Sequence, residues 1–236
     1  MTSEKIIQLS PNFTLSLRER RIKSTKDNQE YDFDNKMAST LVFQDRMQGW
    51  FFTPALELLN NNYAMASVNL VTPLIEALEI YHNGVASKSE LDFEKQAKTI
   101  FRSLCKKENS PFKWQKQCDV CSPHSRILCK EAIKFLYDGV RCGFVHKGFL
   151  QDEDQTKQRN IVISLEWNND PIVFESNCLT IYARPYVKFI QKAFEEFYER
   201  LENENETRDK FLNVWSLHWN MKKNSFGHIS EYIPEL

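Results

Sequence analysis

The chain has 236 residues, of which 42% are hydrophobic and 13% aromatic, so it is long and apolar enough to bury a substantial core. Its 31 basic and 32 acidic residues nearly cancel, which argues against binding to nucleic acid or membrane through bulk charge. Only 6 Gly and 8 Pro are present, which argues against a many-stranded barrel or sandwich and favours long helices.

The first forty residues predict strands followed by a polar loop. Short apolar stretches bounded by Ser, Pro and Asn predict strands over 5–9 and 13–17. The charged stretch 23–38 predicts an exposed loop. The N-terminus has no basic region followed by an apolar stretch, and no run approaches 18 apolar residues. We therefore expect neither a signal peptide nor a membrane span.

Apolar residues spaced three and four apart predict helices over most of the remaining chain. Thr53-Pro54 is a typical helix start, because Thr caps the first turn and Pro tolerates the first helical position. A second helix is predicted over 63–82, and Pro73 should kink it. The remaining predicted helices cover residues 89–104, 124–147, 184–203 and 207–223.

Three short apolar stretches interrupt these helices and predict strands over 161–167, 172–174 and 178–182. Asn168–Pro171 is a turn signal between the first two. We therefore expect a mainly α-helical fold to which a small antiparallel β-sheet is appended.

The predicted helix 124–147 has two distinct faces on a wheel of 100° per residue. Within roughly 80° of arc it carries a basic stripe, formed by Arg126, Lys130, Lys134 and Arg141. Gly139 and Gly143 lie on the apolar face. Each costs about 1 kcal/mol in helix propensity relative to alanine, which indicates either close backbone packing or a deformed helix.

The segment Leu136–Gly148 reads LYDGVRCGFVHKG and places Arg141 and His146 in an Arg-x4-His arrangement late in this helix. Upstream, the segment NLVTPLIEALEIYHNG contains Glu76. In these two segments the chain resembles the HEPN superfamily (higher eukaryotes and prokaryotes nucleotide-binding), over about residues 45–205. Many members are metal-independent ribonucleases with an Arg-x(4–6)-His motif near the end of a helix.

The resemblance implies an up-and-down helical bundle and a division of the chain into three parts. These are N-terminal strands and a polar loop over 1–40, a HEPN-like helical domain over 41–205 with a β-hairpin insertion near 161–182, and a C-terminal helix and tail over 206–236.

The residue types of the motif suit RNA cleavage without a metal or other cofactor. An imidazole with an ordinary pKa of about 6.5 can take the proton of a 2′-hydroxyl near neutral pH, which is the task expected of His146. A guanidinium stays charged and can donate two hydrogen bonds to phosphate oxygens, which is the task expected of Arg141. The resemblance implies a 2′,3′-cyclic phosphate product and a homodimer whose active site combines Arg and His from both protomers.

The neighbouring polar residues have supporting roles in this interpretation. The other cations of the basic stripe would hold the RNA backbone, or else form an ordinary solvated helix face. Glu76 and Asp138 could orient Arg141 or simply be exposed, and Cys142 and Lys147 flank the two catalytic residues. We expect a cytoplasmic enzyme of toxin, phage-defence or stress type, with an antitoxin or regulatory partner.

Position 142 is Cys, where the family usually has a polar residue. This departure favours a different interpretation, in which the domain is catalytically inactive and binds a partner protein or a nucleotide.

The spacing of Arg141 and His146 leaves another alternative open. In a regular helix, a separation of five residues points the two side chains about 140° apart. They converge only if the helix widens or ends between them, as in a π-bulge at Gly143. Otherwise His146 would point into the core as a hydrogen-bonded structural histidine.

The six cysteines leave three possibilities open. Without a secretory signal, free thiols in a reducing cytoplasm are the default. A redox role for the Cys118-x2-Cys121 pair is the second possibility. The third is a compressed zinc constellation, which would use Cys118, Cys121, His124 and Cys129.

Overall fold

The computed structural model describes residues 6–16, 18–33, 35–84, 97, 133–144, 160–168, 170–175 and 178–218. Of these residues, 63% are helical and 20% lie in strands. The N-terminal elements are β1 Ile6–Ser10, β2 Phe13–Ser16, β3 Arg21–Ser24, β4 Glu30–Asp32, α1 Lys36–Met47, π1 Gln48–Phe52, α2 Thr53–Asn60, α3 Ala64–Val71 and α4 Pro73–Asn83. After these come π2 Leu136–Phe144, β5 Asn160–Ser164, β6 Ile172–Glu175, β7 Cys178–Tyr182, α5 Ala183–Asn203 and α6 Asn205–His218. None of the described helices is long and apolar enough to cross a membrane.

The predicted fold class, a mainly α up-and-down bundle with one small antiparallel sheet, is wrong. The described residues form two sheets as well as helices. The first is four-stranded and antiparallel, in the order β1-β2-β3-β4. The second is three-stranded and mixed, in the order β5-β7-β6.

The first sheet extends into the segment that was predicted to be a loop. In β3, Ile22 and Ser24 are buried while Arg21 and Lys23 are exposed, which is the alternation of a strand with one solvated face. The exposed cations pair across to β4, since Arg21 lies 3.5 Å from Asp32 and Lys23 lies 3.7 Å from Glu30. Composition predicted a loop here because the segment is highly charged. The charges are compatible with strands because they pair between β3 and β4 rather than along one strand.

The second sheet departs from the predicted hairpin because β7 lies between β5 and β6. All five residues of β5 pair with β7 in parallel, and β6 pairs with β7 antiparallel. The chain between β5 and β6 therefore connects two outer strands that are not neighbours. Leu179 and Ile181 of β7 are fully buried, which fits the central position in the sheet.

The chain divides into two compact units. One contains the described residues within 1–45, 80–87 and 197–236, and the other contains those within 46–79 and 88–196. The core of the first unit is aromatic and is centred on the fully buried ring of Phe43. Among the described residues, the rings within 6.4 Å of it include those of Tyr81, Phe197, Tyr198, Phe211 and Trp215. The turn after β1 is hydrogen-bonded to α1 within this unit. The backbone N and Nδ2 of Asn12 donate to the Asp45 carboxylate at 2.8 and 2.6 Å.

The second unit begins with a helix that widens before Pro54. Thr53 does not cap a new helix, because its backbone N–H donates to the carbonyl of Gln48 as the last bond of π1. Its hydroxyl accepts a hydrogen bond from Gln48 Nε2 at 3.2 Å. Pro54 has no backbone N–H to donate. The backbone hydrogen bonds therefore change from the π pattern to the α pattern at a position where one donor is missing. Further along, the single helix predicted over 63–82 with a kink at Pro73 is instead two helices, since α3 ends at Val71 and α4 begins at Pro73.

Candidate functional site

The candidate site of the second unit is built on π2, the helix that carries Arg141. One side of the helical residues 133–144 is buried, as the helical spacing of their apolar residues predicts. The buried residues include Ile133, Phe135, Leu136 and Val140. Gly139 is also buried, and a Cβ at that position would lie 1.9 Å from Cδ1 of Ile161 on β5. The glycine therefore lets π2 approach the edge of the second sheet closely, and this explains its place on the apolar face.

Arg141 contacts Glu76 of α4, so the structure joins two residues that the sequence placed in separate motifs. Nε and Nη2 of Arg141 both donate to Oε2 of Glu76, each at 3.3 Å. The two side chains are 25% and 21% exposed, so the pair lies at the surface without being fully solvated. Because one carboxylate oxygen receives both bonds, the contact is longer and less directional than a two-oxygen fork.

This arrangement leaves binding capacity on both side chains. A guanidinium carries five N–H donors, and Glu76 uses two of them. The other three have no partner among the described residues, and neither has Oε1 of Glu76. Arg141 can therefore stay oriented by the carboxylate while its remaining N–H groups receive an anionic oxygen, such as one on phosphate.

A wide turn, which Arg141 and His146 would need in order to converge, occurs in this helix. π2 covers Leu136–Phe144 and so includes Arg141 and Gly143. A π-helix closes its hydrogen bonds between residues five apart, so positions i and i+5 come close to the same face. The residue five positions after Arg141 is His146, which lies outside the described residues.

The same widening changes the angle between Lys134 and Arg141, two members of the predicted basic stripe. The alignment of Lys134 with Arg141 assumed 100° per residue, and π2 turns by less than that at each step. In the structure Lys134 is exposed, whereas Arg141 and Asp138 are half-buried.

Asn69, on α3 of the same unit, is a polar residue that sequence reasoning missed. Its Oδ1 and Nδ2 atoms are buried and have no hydrogen-bond partner among the described residues. The only signal in the sequence is an amide inside the apolar stretch NLVTPLI. A buried unpaired amide costs about 1–3 kcal/mol.

The remaining predicted site residues lie outside the described part of the chain. For the RNA site these are Arg126, Lys130, His146 and Lys147, together with the side chain of Cys142. For the zinc alternative they are Cys118, Cys121, His124 and Cys129. Within the described ranges, no group of three or more His, Cys, Asp or Glu side chains could hold a metal ion.

Comparison with known proteins assigns no family to this chain. No family model matches it, and neither a curated protein nor a solved structure matches it. The similarity to the HEPN superfamily therefore rests on the two sequence segments that contain Glu76, Arg141 and His146.

Proposed function

We propose that the chain is a cytoplasmic, metal-independent RNA endonuclease of toxin, phage-defence or stress type. The observation that supports this best is the Arg141 guanidinium, which Glu76 orients through a single oxygen while three N–H donors stay available. A fixed cation with unused donors, on a partly exposed helix, suits the negative charge that develops during phosphoryl transfer.

The proposed reaction is an intramolecular transesterification. His146 takes the proton of the 2′-hydroxyl, and the 2′-oxygen attacks the adjacent phosphorus. The bond from phosphorus to the 5′-oxygen breaks, and that oxygen receives a proton from an imidazolium. Arg141 binds the non-bridging oxygens as their charge increases. The products are a 2′,3′-cyclic phosphate and a 5′-hydroxyl, so neither water nor metal enters this step.

The proposed enzyme is a homodimer whose site takes Arg141 and His146 from both protomers. In this proposal, cations of the same helix, including the exposed Lys134, hold the RNA backbone. An antitoxin or another regulatory partner would limit the activity in the cell.

The Arg141–Glu76 contact also favours a second candidate. A carboxylate 3.3 Å from the guanidinium already offsets its charge, which lowers its attraction for phosphate. In that case the chain is a catalytically inactive module that binds a partner protein or a nucleotide. Binding of RNA or nucleotide without any cleavage would support this candidate over the endonuclease.

The deciding experiment incubates total RNA with the wild-type chain and with variants in the presence of EDTA, and assays for 2′,3′-cyclic phosphate ends. We expect cleavage by wild type and a loss of at least about 100-fold for Arg141→Ala and His146→Ala. Arg141→Lys keeps the charge but loses the planar fork, so it should restore only part of the activity. Arg21→Ala, which alters an exposed arginine of β3, serves as the matched control.

Folding and dimerisation of each variant are checked by circular dichroism and light scattering. Intact RNA after incubation with folded, dimeric wild type would refute the endonuclease proposal. Cleavage that survives both Arg141→Ala and His146→Ala would refute the residue assignment.

A further inference from the structure

A row of cations lies on the N-terminal half of α5, away from the residues that the sequence motifs single out. Arg184, Lys188 and Lys192 are spaced four residues apart and therefore share one face of the helix. Lys188 and Lys192 are exposed and Arg184 is half-buried. Within the described part of the chain none of the three forms an ion pair, although Arg184 Nη2 donates to Asn60 Oδ1 at 2.8 Å.

An exposed tryptophan lies against this row. The side chain of Trp167 is 66% exposed, and Nζ of Lys188 lies 5.9 Å from its ring centroid, which is within the range of a cation–π contact. One side-chain-to-backbone hydrogen bond lies on either side of the ring along the chain. Glu166 N donates to Ser164 Oγ at 3.0 Å, and Asp170 N donates to Asn168 Oδ1 at 3.2 Å.

Trp167 also lies within reach of the helix that carries Arg141. β5 contacts π2 at Ile161, whose Cδ1 occupies the space that a Cβ of Gly139 would need. Trp167 follows Ile161 by six residues, which places the two Cα atoms at most about 21 Å apart. The tryptophan therefore follows β5, three residues after the strand ends at Ser164.

We propose that this surface binds single-stranded RNA, with an unpaired base stacked on Trp167 and phosphates on the α5 cations. The inference rests on the proposed endonuclease function and adds the class of substrate. An aromatic face beside a row of cations that have no carboxylate partner is the combination that binds unpaired strands. Duplex RNA does not fit, because its bases are already stacked and paired.

The opposite face of α5 argues against a membrane as the ligand. A helix that binds a lipid surface inserts its apolar side, but Tyr186, Val187 and Ile190 are fully buried inside this unit. The cations therefore stand on the solvated side of a core helix. That position suits phosphates that approach from water.

The test measures the affinity of the 236-residue chain for a 2′-O-methyl oligouridine of about 12 nucleotides, by fluorescence anisotropy. This probe has no free 2′-hydroxyl and cannot be cleaved by the proposed reaction. We expect Trp167→Ala to weaken binding about 5- to 100-fold, and Trp167→Phe to retain most of it because a ring remains. The combined Lys188→Ala and Lys192→Ala variant should lower the salt dependence by about two released ions.

Trp50 provides the matched control. It is also an exposed tryptophan of this unit, 41% exposed, with Cζ of Arg46 at 5.1 Å from its ring centroid. Trp50→Ala should change the affinity by less than about twofold.

The outcomes separate this inference from the proposed function. Equal affinities of Trp167→Ala and Trp50→Ala overturn the inference, and cleavage of total RNA by wild type would still support the endonuclease. Binding that depends on Trp167, without cleavage of total RNA, supports the inference and overturns the endonuclease. Preference for duplex RNA or for phosphatidylserine vesicles over the oligouridine overturns the inference.

Discussion

Arg141 on π2 and Glu76 on α4 meet through a single oxygen, since Nε and Nη2 of the arginine both donate to Oε2 at 3.3 Å. Both side chains keep access to solvent, so we expect the pair to stabilise the fold by at most about 1 kcal/mol. Its effect is therefore mainly to orient the guanidinium.

Removing the Glu76 side chain should affect the proposed RNA cleavage more than the stability of the fold. We expect Glu76→Ala to lower kcat about tenfold, because Arg141 loses its orientation, and to change the free energy of unfolding by less than about 1 kcal/mol. Glu76→Gln should restore most of kcat and lower KM, because the amide oxygen still accepts while the competing charge is gone. Steady-state kinetics on a fluorogenic RNA would measure both constants. Glu57→Ala on α2, an exposed carboxylate, is the control, and equal kcat values for the two Ala variants would contradict the positioning role.

A methyl group at position 139 should disturb the contact between π2 and Ile161 of β5. In Gly139→Ala the new Cβ meets Cδ1 of Ile161, so the two elements must shift or the isoleucine must change rotamer. We expect a loss of about 1–2 kcal/mol by urea denaturation, because overpacking outweighs the better helix propensity of alanine. Ile161→Val removes the clashing atom, and the double variant should be more stable than Gly139→Ala alone. A gain of stability in Gly139→Ala would show that the close approach does not constrain π2.

The buried hydroxyl pair of the second unit should behave as a coupled unit. Thr72 Oγ1 donates to the Val68 carbonyl at 2.7 Å and therefore accepts the hydroxyl proton of Tyr186 at 3.1 Å. Burial raises the pKa of Tyr186 well above its ordinary value, so this proton stays in place across the neutral range. Thr72→Val leaves the tyrosine hydroxyl buried without its acceptor and should cost about 1–3 kcal/mol.

The control for this cycle is Thr40→Val on α1, which removes a similar bond to the carbonyl four residues earlier but orphans no tyrosine. Its effect should stay below about 0.5 kcal/mol. Adding Tyr186→Phe to Thr72→Val should recover part of the loss. Strict additivity of Thr72→Val and Tyr186→Phe would show that the two hydroxyls are not coupled.

Glu204, between α5 and α6, should contribute an acid-sensitive part of the stability. The Thr207 hydroxyl, which donates to this carboxylate, and the Arg200 guanidinium lower the pKa of Glu204 from its ordinary value of 4.5. A lowered folded pKa means that the stabilisation is complete above about pH 4.5 and is lost as the pH falls through the folded pKa.

Thermal unfolding of Glu204→Gln and wild type, measured at several pH values between neutral and about pH 3, tests this contribution. We expect the variant to be less stable at neutral pH and the difference to vanish in acid. Glu202→Gln, an exposed neighbour, should show no such convergence. A difference between Glu204→Gln and wild type that stays constant with pH would rule out the linkage.

Regular elements with a clear apolar period could be predicted from the sequence. The predicted helix 184–203 matches α5 to within one residue, and the predicted strand 178–182 matches β7. Strands with mixed charge could not be predicted this way, because the partners of Arg21 and Lys23 lie on another strand. The order of the second sheet also escaped prediction, since the strand periodicity does not say which strand occupies the centre.

In the candidate site, too, some features could be predicted from the sequence and others appear only in the structure. The resemblance to the HEPN superfamily led to Arg141 and Glu76, and the spacing of Arg141 and His146 led to the need for a widened helix near Gly143. The row Arg184, Lys188 and Lys192 was visible as a spacing of four, but its lack of carboxylate partners and its position beside Trp167 were not.

The sequence by itself determined where helices and strands with regular periodicity form, and that the helix around Pro73 is interrupted. These properties depend on neighbours within one or two turns of the chain, so local sequence specifies them. Only the tertiary structure decided that Glu76 meets Arg141 and that Gly139 admits Ile161, as it did the parallel pairing of β5 with β7. Those contacts join residues far apart in sequence, and close packing of side chains in three dimensions selects them.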